Sequence, residues 1–244
     1  MNTDEFREAL LQVMEQKKHW SQHHFAHGLV PRELFHIHLE QEYAVFVRDF
    51  PILVGWAYVQ CPVVEVRRDL AANLFEEETG LLAAQRPHPE LFLEIPRGFG
   101  FDMQRFHHIE LLQGSRRYRD ILDRCTQGAG WETAAAVTTI FIEGTPWERG
   151  ELDPSFPRRL IPPLEKHPLH VHYGLPLWAL ALPAVHREVE GGHRTAAWQA
   201  VLQHVKPDVR PRVVQAMKRC LDGWRAYKDD VALACGLTPL RARS

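Results

Sequence analysis

The stretch His186-Arg-Glu-Val-Glu190-Gly-Gly-His193 decides how the rest of this sequence is interpreted. Its two histidines and the glutamate between them are separated by four and three residues, which places the three side chains within about 60° of one another on an α-helix. Two imidazoles and a carboxylate on one helical face suit a borderline metal such as iron, manganese or zinc. The alternative is a solvated polar face, because the chain contains 15 histidines.

The glycines at 191 and 192 are unusual inside such a helix, since each costs up to about 1 kcal/mol relative to alanine. One explanation is close helix packing or a π-bulge, a feature often found at functional sites. The other is that the helix breaks there and removes His193 from the face that it shares with His186.

One helix supplies only half of a coordination sphere, and di-metal sites in bundles take glutamates and histidines from several helices. Glu143 is the first candidate partner, because it continues an apolar stripe that includes Ala136 and Ile140. A bare carboxylate there would cost several kcal/mol unless it were paired, protonated or bound to a metal. In the alternative reading Glu143 ends the helix and points to solvent, with Gly144 as its C-cap.

The segment Asn73-Leu-Phe-Glu-Glu-Glu-Thr-Gly80 supplies a second group of candidates. Its three glutamates project in three directions, so at most two can face a bundle interior. Periodicity does not separate Glu77 from Glu78, and a solvated position is expected for Glu76. His88 precedes a proline, which indicates a helix start; it is either a ligand or a cap or surface residue.

These candidates resemble the metal-ligand order of the haem-oxygenase-like di-metal oxidases. That superfamily includes the TENA-like proteins, PQQ-synthesis protein C and the CADD proteins. The positions that carry the resemblance are Glu77, His88, Glu143, His186, Glu190 and His193. The stretch at 73–80 is similar to the N-L-x-D-E-E-x-G of CADD-like members, which selects Glu77 over Glu78. Residues 41–51 resemble the second-helix Q-D-Y and F-P motif, and residues 23–29 resemble the first-helix H-P-F motif.

The sequence also departs from the family pattern. Glu190 stands where aspartate is more common, and Glu77 and His88 are eleven residues apart rather than seven. The four additional residues are about one helical turn, so either the helix continues or a loop delivers His88. The tyrosine of CADD-like proteins has no clear counterpart, and the cysteine of TENA-like thiaminases is absent near Glu143. Aminobenzoate formation and thiamine chemistry are therefore not expected.

The resemblance implies an all-α fold, namely a single haem-oxygenase-like bundle of about seven or eight helices over residues 1–244. It further implies a non-haem, oxygen-dependent oxidase that acts on a small organic substrate and binds two Fe(II) ions, with manganese as an alternative. Glu42 is a further candidate ligand or, alternatively, a salt-bridge partner. Two rival readings are a cofactor-independent oxidase like PQQ-synthesis protein C and a non-enzymatic interaction module. The resemblance also admits a homodimer, and no catalytic residue beyond the metal ligands is assigned.

Composition limits the class of protein. A hydrophobic content of 45% suits a sizeable core, and a formal net charge of −2 gives no general attraction to nucleic acid or to anionic membranes. No segment contains 18 consecutive apolar residues, and the polar N-terminus does not resemble a signal peptide. The four cysteines are far apart in sequence, which favours a reduced, cytoplasmic setting.

Helical periodicity dominates the chain. It predicts helices over residues 4–24, 31–50, 62–82, 116–125, 131–143, 175–204 and 208–235. The segment at 144–172 is rich in proline and arginine and is predicted to be a long loop or lid. His167, His170 and His172 in this segment are candidate substrate contacts or, alternatively, surface residues.

Overall fold

A computed structural model describes residues 1–153, 155–156 and 161–239, and within them the backbone but not the side chains of residues 188–193. The described residues form helices connected by turns, with no β-strand. The α-helices are α1 (Thr3–Glu15), α2 (Gln22–Ala26), α3 (Phe35–Glu42), α4 (Phe50–Gln60), α5 (Val64–Thr79), α6 (His88–Phe92), α7 (Glu94–Phe99), α8 (Gln113–Gln127), α9 (Trp131–Ala135), α10 (Glu148–Leu152), α11 (Pro168–Tyr173), α12 (Ala181–His204) and α13 (Arg210–Ala234). The predicted all-α class is confirmed.

The described chain has more helices than the seven or eight that the resemblance implied, because one predicted helix is divided and several short helices form between the predicted ones: α4, α6, α7, α10 and α11. The region predicted as one helix over residues 4–24 forms α1 and α2, with a break between Glu15 and Gln22. The N-terminus of α1 has a complete capping box, in which the side chains of Asn2 and Glu5 each accept the other residue's backbone N–H. The chain turns at the break, and Lys17 reaches from there into the protein interior.

Two π-helical segments continue the short helices α3 and α9. They span Tyr43–Val47 and Ala136–Ile142. A π turn changes the direction in which the residues at its ends project, and such turns are frequent at functional sites. Glu42 immediately precedes the first segment and Glu143 immediately follows the second. The π-bulge considered for the glycines at 191 and 192 is not found, since α12 is α-helical through them.

The core lies mainly around α13, which packs along α8. The rings of Tyr118 and Tyr227 stack between these helices with centroids 5.6 Å apart. At the start of α8 the two backbones approach so closely that a Cβ on Gly114 would lie 2.6 Å from the carbonyl oxygen of Ala226. The large, fully buried side chains include Phe6, Leu10, Leu53, Leu122, Ile140, Phe141 and Trp198.

The prediction of a long loop over residues 144–172 is wrong in part. This segment contains α10, a 3-10 turn at Leu164–Lys166 and most of α11. Helix α10 is attached to α12, because its buried Glu148 accepts a hydrogen bond from the indole Nε1 of Trp198. Among the helices of the described chain, none is both long enough and apolar enough to cross a membrane.

Gly114 and Gly55 offer a matched test of the α8–α13 packing. We expect Gly114→Ala to lower the free energy of unfolding by about 1–3 kcal/mol, because the new methyl group meets backbone that cannot move aside. Gly55 lies within α4 with nothing near its Cβ position, so Gly55→Ala should raise the free energy of unfolding by about 0.5–1 kcal/mol. Urea denaturation measures both, and a Gly114→Ala protein as stable as the parent would contradict the close approach.

Candidate metal centre

The helices enclose an interior cavity of about 710 Å³, a size typical of small-molecule sites. Aromatic side chains form much of its wall: Phe25, Phe35, Phe46, Phe50, Phe92 and Trp224. Charged and imidazole groups interrupt this wall: Lys17, His38, Glu42, Glu77, His88, Glu143, His167, His186, Arg194 and Lys228. A ligand in the cavity would therefore contact a mainly apolar surface with a few polar groups.

Glu77, His88 and His186 converge in this cavity from α5, α6 and α12. One ligand atom from each lies within 4.8 Å of the other two, and no other group of three or more potential ligands meets this criterion in the described chain. The Nδ1 atom of His88 is 2.9 Å from the Oε1 atom of Glu77. The rings of His88 and His186 have centroids 5.3 Å apart. The structure thus brings together three residues that are distant in sequence.

A loop, rather than a continued helix, delivers His88 to this cluster. Helix α5 ends at Gly80, which has φ of 67°, and α6 begins at His88. The carboxylate of Glu76 holds the returning loop by accepting hydrogen bonds from three consecutive backbone N–H groups. These belong to Leu82, Ala83 and Ala84, at 2.7, 3.1 and 2.9 Å. The expectation that Glu76 is solvated is wrong. The residue is only 1% exposed, because its side chain points from α5 towards this loop.

Glu76 also contacts the far side of the His88 ring, since its Oε1 atom is 3.4 Å from Nε2. Burial lowers the pKa of His88, but Glu77 and Glu76 outweigh this effect and raise it above its ordinary value. The Nδ1 atom of His88 is buried and close to Glu77, yet it has no partner with hydrogen-bond geometry. A metal-binding histidine has this arrangement, with one nitrogen facing the ion and the other facing a carboxylate.

Glu143 lines the same cavity beside the three-residue cluster. Asn73 Nδ2 donates a hydrogen bond to its Oε1 atom at 2.8 Å. Burial, and then the nearby charge of Glu77, raise the pKa of Glu143 to about 8. Glu77 and Glu143 line the same cavity, and either protonation or a bound metal ion would relieve the repulsion between their carboxylates. Glu143 therefore faces the interior and does not point to solvent as a helix-ending residue.

Helix α12 carries the remaining candidates. Burial, followed by the charges of His88 and Arg194, lowers the pKa of His186 to about 4, which leaves its imidazole neutral and able to donate a lone pair. The helix is unbroken from Ala181 to His204, so its backbone keeps positions 186, 190 and 193 on one face. The side chains of Glu190 and His193 lie outside the described residues.

Lys17 is a buried residue near the site that the sequence did not single out. Its Nζ atom donates to the carbonyl oxygens of Phe141, Ile142 and Gly144, at 2.5, 3.2 and 2.8 Å. These carbonyls flank Glu143 at the end of the second π-helical segment, so the ammonium replaces the missing helical hydrogen bonds there. Burial lowers the pKa of Lys17 to about 7. No local pattern identifies such a contact, because 124 residues or more separate the partners.

Glu42 lines the cavity but is not part of the Glu77, His88 and His186 cluster. Its Oε2 atom is 3.0 Å from Nε2 of His38, one turn earlier on α3. The Glu42 carboxylate therefore has a partner on its own helix, and its role as a metal ligand stays a prediction. Burial lowers the pKa of His38 to about 4, so this pair joins a carboxylate to a neutral imidazole at neutral pH.

A second buried group lies next to Glu143. Glu148 accepts hydrogen bonds from Trp198 Nε1 at 2.9 Å and from the backbone N–H of Thr145 at 2.8 Å, and it is 3.7 Å from the guanidinium of Arg194. This network ties the segment after Glu143 to α12. Of the three loop histidines considered from sequence, His167 lines the cavity. His170 binds the carbonyl oxygen of Leu175, and His172 is exposed.

Comparison with known proteins identifies the family and the fold of this chain. The model of a family described as "Iron-containing redox enzyme" matches residues 38–225, and the chain belongs to this family. A TenA homologue from Pseudomonas syringae pv. tomato str. DC3000 has a similar structure, with a TM-score of 0.68 over 95% of this chain and 91% of the homologue. The two sequences are only 10% identical, so this likeness concerns the fold alone. No curated protein matches the sequence significantly.

Glu76 and Glu78 allow a test of the loop that carries His88. We expect Glu76→Ala to lower the free energy of unfolding by about 1–3 kcal/mol, because three backbone N–H groups of the loop and the His88 imidazole lose a charged acceptor. Glu78 is exposed on the same helix, so Glu78→Ala should change stability by less than about 0.5 kcal/mol. Equal effects of the two substitutions in urea denaturation would show that Glu76 does not hold the loop.

His38 should make the protein sensitive to acid. The pKa of His38 is about 4 in the folded chain and about 6.5 after unfolding, so between these values the unfolded chain binds the proton more readily. The free energy of unfolding is therefore highest above pH 6.5 and decreases as the pH falls towards 4. Between pH 7.5 and pH 5 this loss amounts to about 2 kcal/mol. In His38→Gln that part of the pH dependence should disappear, whereas His108→Gln, at an exposed position, should keep it. Urea denaturation across this range measures the difference, and identical slopes for His38→Gln and the parent would contradict the prediction.

Proposed function

We propose that this protein is a non-haem iron oxidase that uses dioxygen to oxidise a small organic substrate bound in the cavity. The observation that carries the proposal is the convergence of Glu77, His88 and His186 within 4.8 Å in a cavity large enough for such a substrate. Two nitrogen donors and one carboxylate form the ligand set that non-haem iron favours. The family's description as iron-containing redox enzymes supports the same metal and the same class of reaction.

The arrangement favours two ions rather than one. Glu143 adds a carboxylate beside Glu77, and the continuous helix α12 places positions 190 and 193 on the face of His186. Glu190 and His193 would complete a second ligand set of the kind found in helical di-iron bundles. Manganese suits the same oxygen and nitrogen donors and is the alternative metal.

The protein's own residues would orient and shield the reaction. Glu76 fixes the ring of His88, Asn73 fixes Glu143, and Lys17 fixes the turn that ends at Glu143. The phenylalanine-rich wall excludes water and packs against an apolar substrate. The chemistry that iron supplies when bound is the activation of dioxygen.

Adjacent glutamates on α5 provide a matched test of the metal site. Protein loaded anaerobically with Fe(II) and then desalted should retain about two ions per chain. We expect Glu77→Gln to lose at least about tenfold in iron affinity, since it removes a charged ligand. Glu78→Gln has the same change of charge at an exposed position and should retain the parent's iron content. Metal analysis and oxygen uptake by the loaded proteins provide the two measurements.

The outcomes separate the rival functions. A folded protein that retains no iron but oxidises a bound organic substrate would be a cofactor-independent oxidase. A folded protein that neither retains iron nor consumes oxygen with any substrate in a broad screen would be an interaction module. Equal iron content in Glu77→Gln and Glu78→Gln would refute this location of the metal centre.

A further inference from the structure

Two opposite charges line the cavity without forming an ion pair with each other: Glu42 at the end of α3 and Lys228 on α13. The Glu42 carboxylate accepts from His38. The Lys228 ammonium lies 4.9 Å from the centre of the Tyr227 ring, and no residue of the described chain accepts a hydrogen bond from its Nζ atom. Both charges are therefore available to a bound molecule.

Glu42 and Lys228 line the same cavity, and the charge of Lys228 acts on the Glu42 carboxylate. Burial alone would raise the pKa of Glu42, but Lys228, then His38 and Lys17, reverse this effect and lower it. Glu42 is thus an ionised carboxylate inside the protein. Lys17 is not an equivalent partner for a ligand, because its ammonium already donates to three backbone carbonyls.

Apolar side chains surround this pair of charges. Trp224 lies one turn before Lys228 on α13, and both line the cavity. Phe25 packs on the His38 ring with centroids 4.5 Å apart, beside the Glu42 contact. The same cavity continues to the Glu77, His88 and His186 cluster. A molecule with a charged head here would place an apolar body along the cavity wall.

The charges decide which head group fits. A carboxylate alone would pair with Lys228 but face the negative charge of Glu42, and an amine alone would pair with Glu42 but face Lys228. A head group that carries both charges satisfies each residue, and it leaves neither ion desolvated and unpaired. The cavity therefore favours a zwitterion over an organic acid or an amine.

We propose that the substrate is a free amino acid with an apolar side chain, whose carboxylate is bound by Lys228 and whose ammonium is bound by Glu42. Its role as a substrate rests on the oxidase function proposed above, whereas its binding does not. The oxidised part of the molecule would then be the side chain, because the head group is held by the Lys228 and Glu42 pair and the metal cluster belongs to other helices.

Three probes with the same ring separate the possible head groups: L-phenylalanine, 3-phenylpropionate and phenethylamine. Calorimetric titration of the full-length, Fe(II)-loaded protein without oxygen should show L-phenylalanine binding at least about tenfold more tightly than either of the others. Lys228→Met should reduce its affinity to that of phenethylamine, and Glu42→Gln should reduce it to that of 3-phenylpropionate. Lys228→Arg should retain much of the affinity, because the charge is kept.

Lys218 supplies the matched control, since it is an exposed lysine on the same helix, and Lys218→Met should bind L-phenylalanine like the parent. The proposal is overturned if either singly charged probe binds as tightly as the zwitterion, or if Lys228→Met keeps the parent's affinity. It is also overturned if none of the twenty common amino acids binds the parent protein in a thermal-shift screen.

Iron content distinguishes this inference from the oxidase proposal. Lys228→Met should retain the parent's iron, because Lys228 does not belong to the metal cluster. A protein that binds amino acids through Lys228 but holds no iron would refute the oxidase and leave the binding site intact. A protein that holds iron and consumes oxygen without binding any amino acid would refute only the substrate assignment.

Discussion

Carboxylates and imidazoles in the interior of a helical bundle lose their hydration. The polar contacts at this site replace the hydrogen bonds that water would otherwise make. Glu76 is ionised against three backbone N–H groups, Glu42 pairs with His38, and Glu148 binds Trp198 and faces Arg194. Glu143 is the exception, because burial, and then the charge of Glu77, raise its pKa to about 8 although Asn73 donates a hydrogen bond to it. This raised pKa distinguishes the end of the cavity near Glu77, His88 and His186 from the rest of the wall.

The backbone around this cavity is irregular next to several of the candidate site residues. A π-helical segment follows Glu42 and another precedes Glu143, and a loop closed by Glu76 carries His88. Irregular elements leave backbone groups that no helix satisfies, and side chains supply the missing partners at two of these three elements. Lys17 does this for the end of the second π segment, and Glu76 does it for the loop.

The family match shows that the chain belongs to a family described as iron-containing redox enzymes, whereas the likeness to a TenA homologue shows only the fold. At 10% identity the fold is retained while most side chains differ, so the chemistry has to be inferred from the residues that line the cavity. Here those residues divide into two regions. One has the carboxylates and imidazoles proposed to bind a metal, and the other has the opposite charges of Glu42 and Lys228, proposed to bind a ligand.

The sequence by itself determined the helical class and the residues that could bind a metal. Its apolar periodicity is a local property, and so is the spacing that groups His186, Glu190 and His193 on one helix. The resemblance to di-metal oxidases selected Glu77 over Glu78, a choice that periodicity could not make; only Glu77 of the two faces the cavity. Only the tertiary structure gave the distances at which Glu77, His88 and His186 meet, and the surroundings of Glu76, Lys17 and Lys228. These depend on where a loop returns and on contacts between residues far apart in the chain, and no local spacing encodes such contacts.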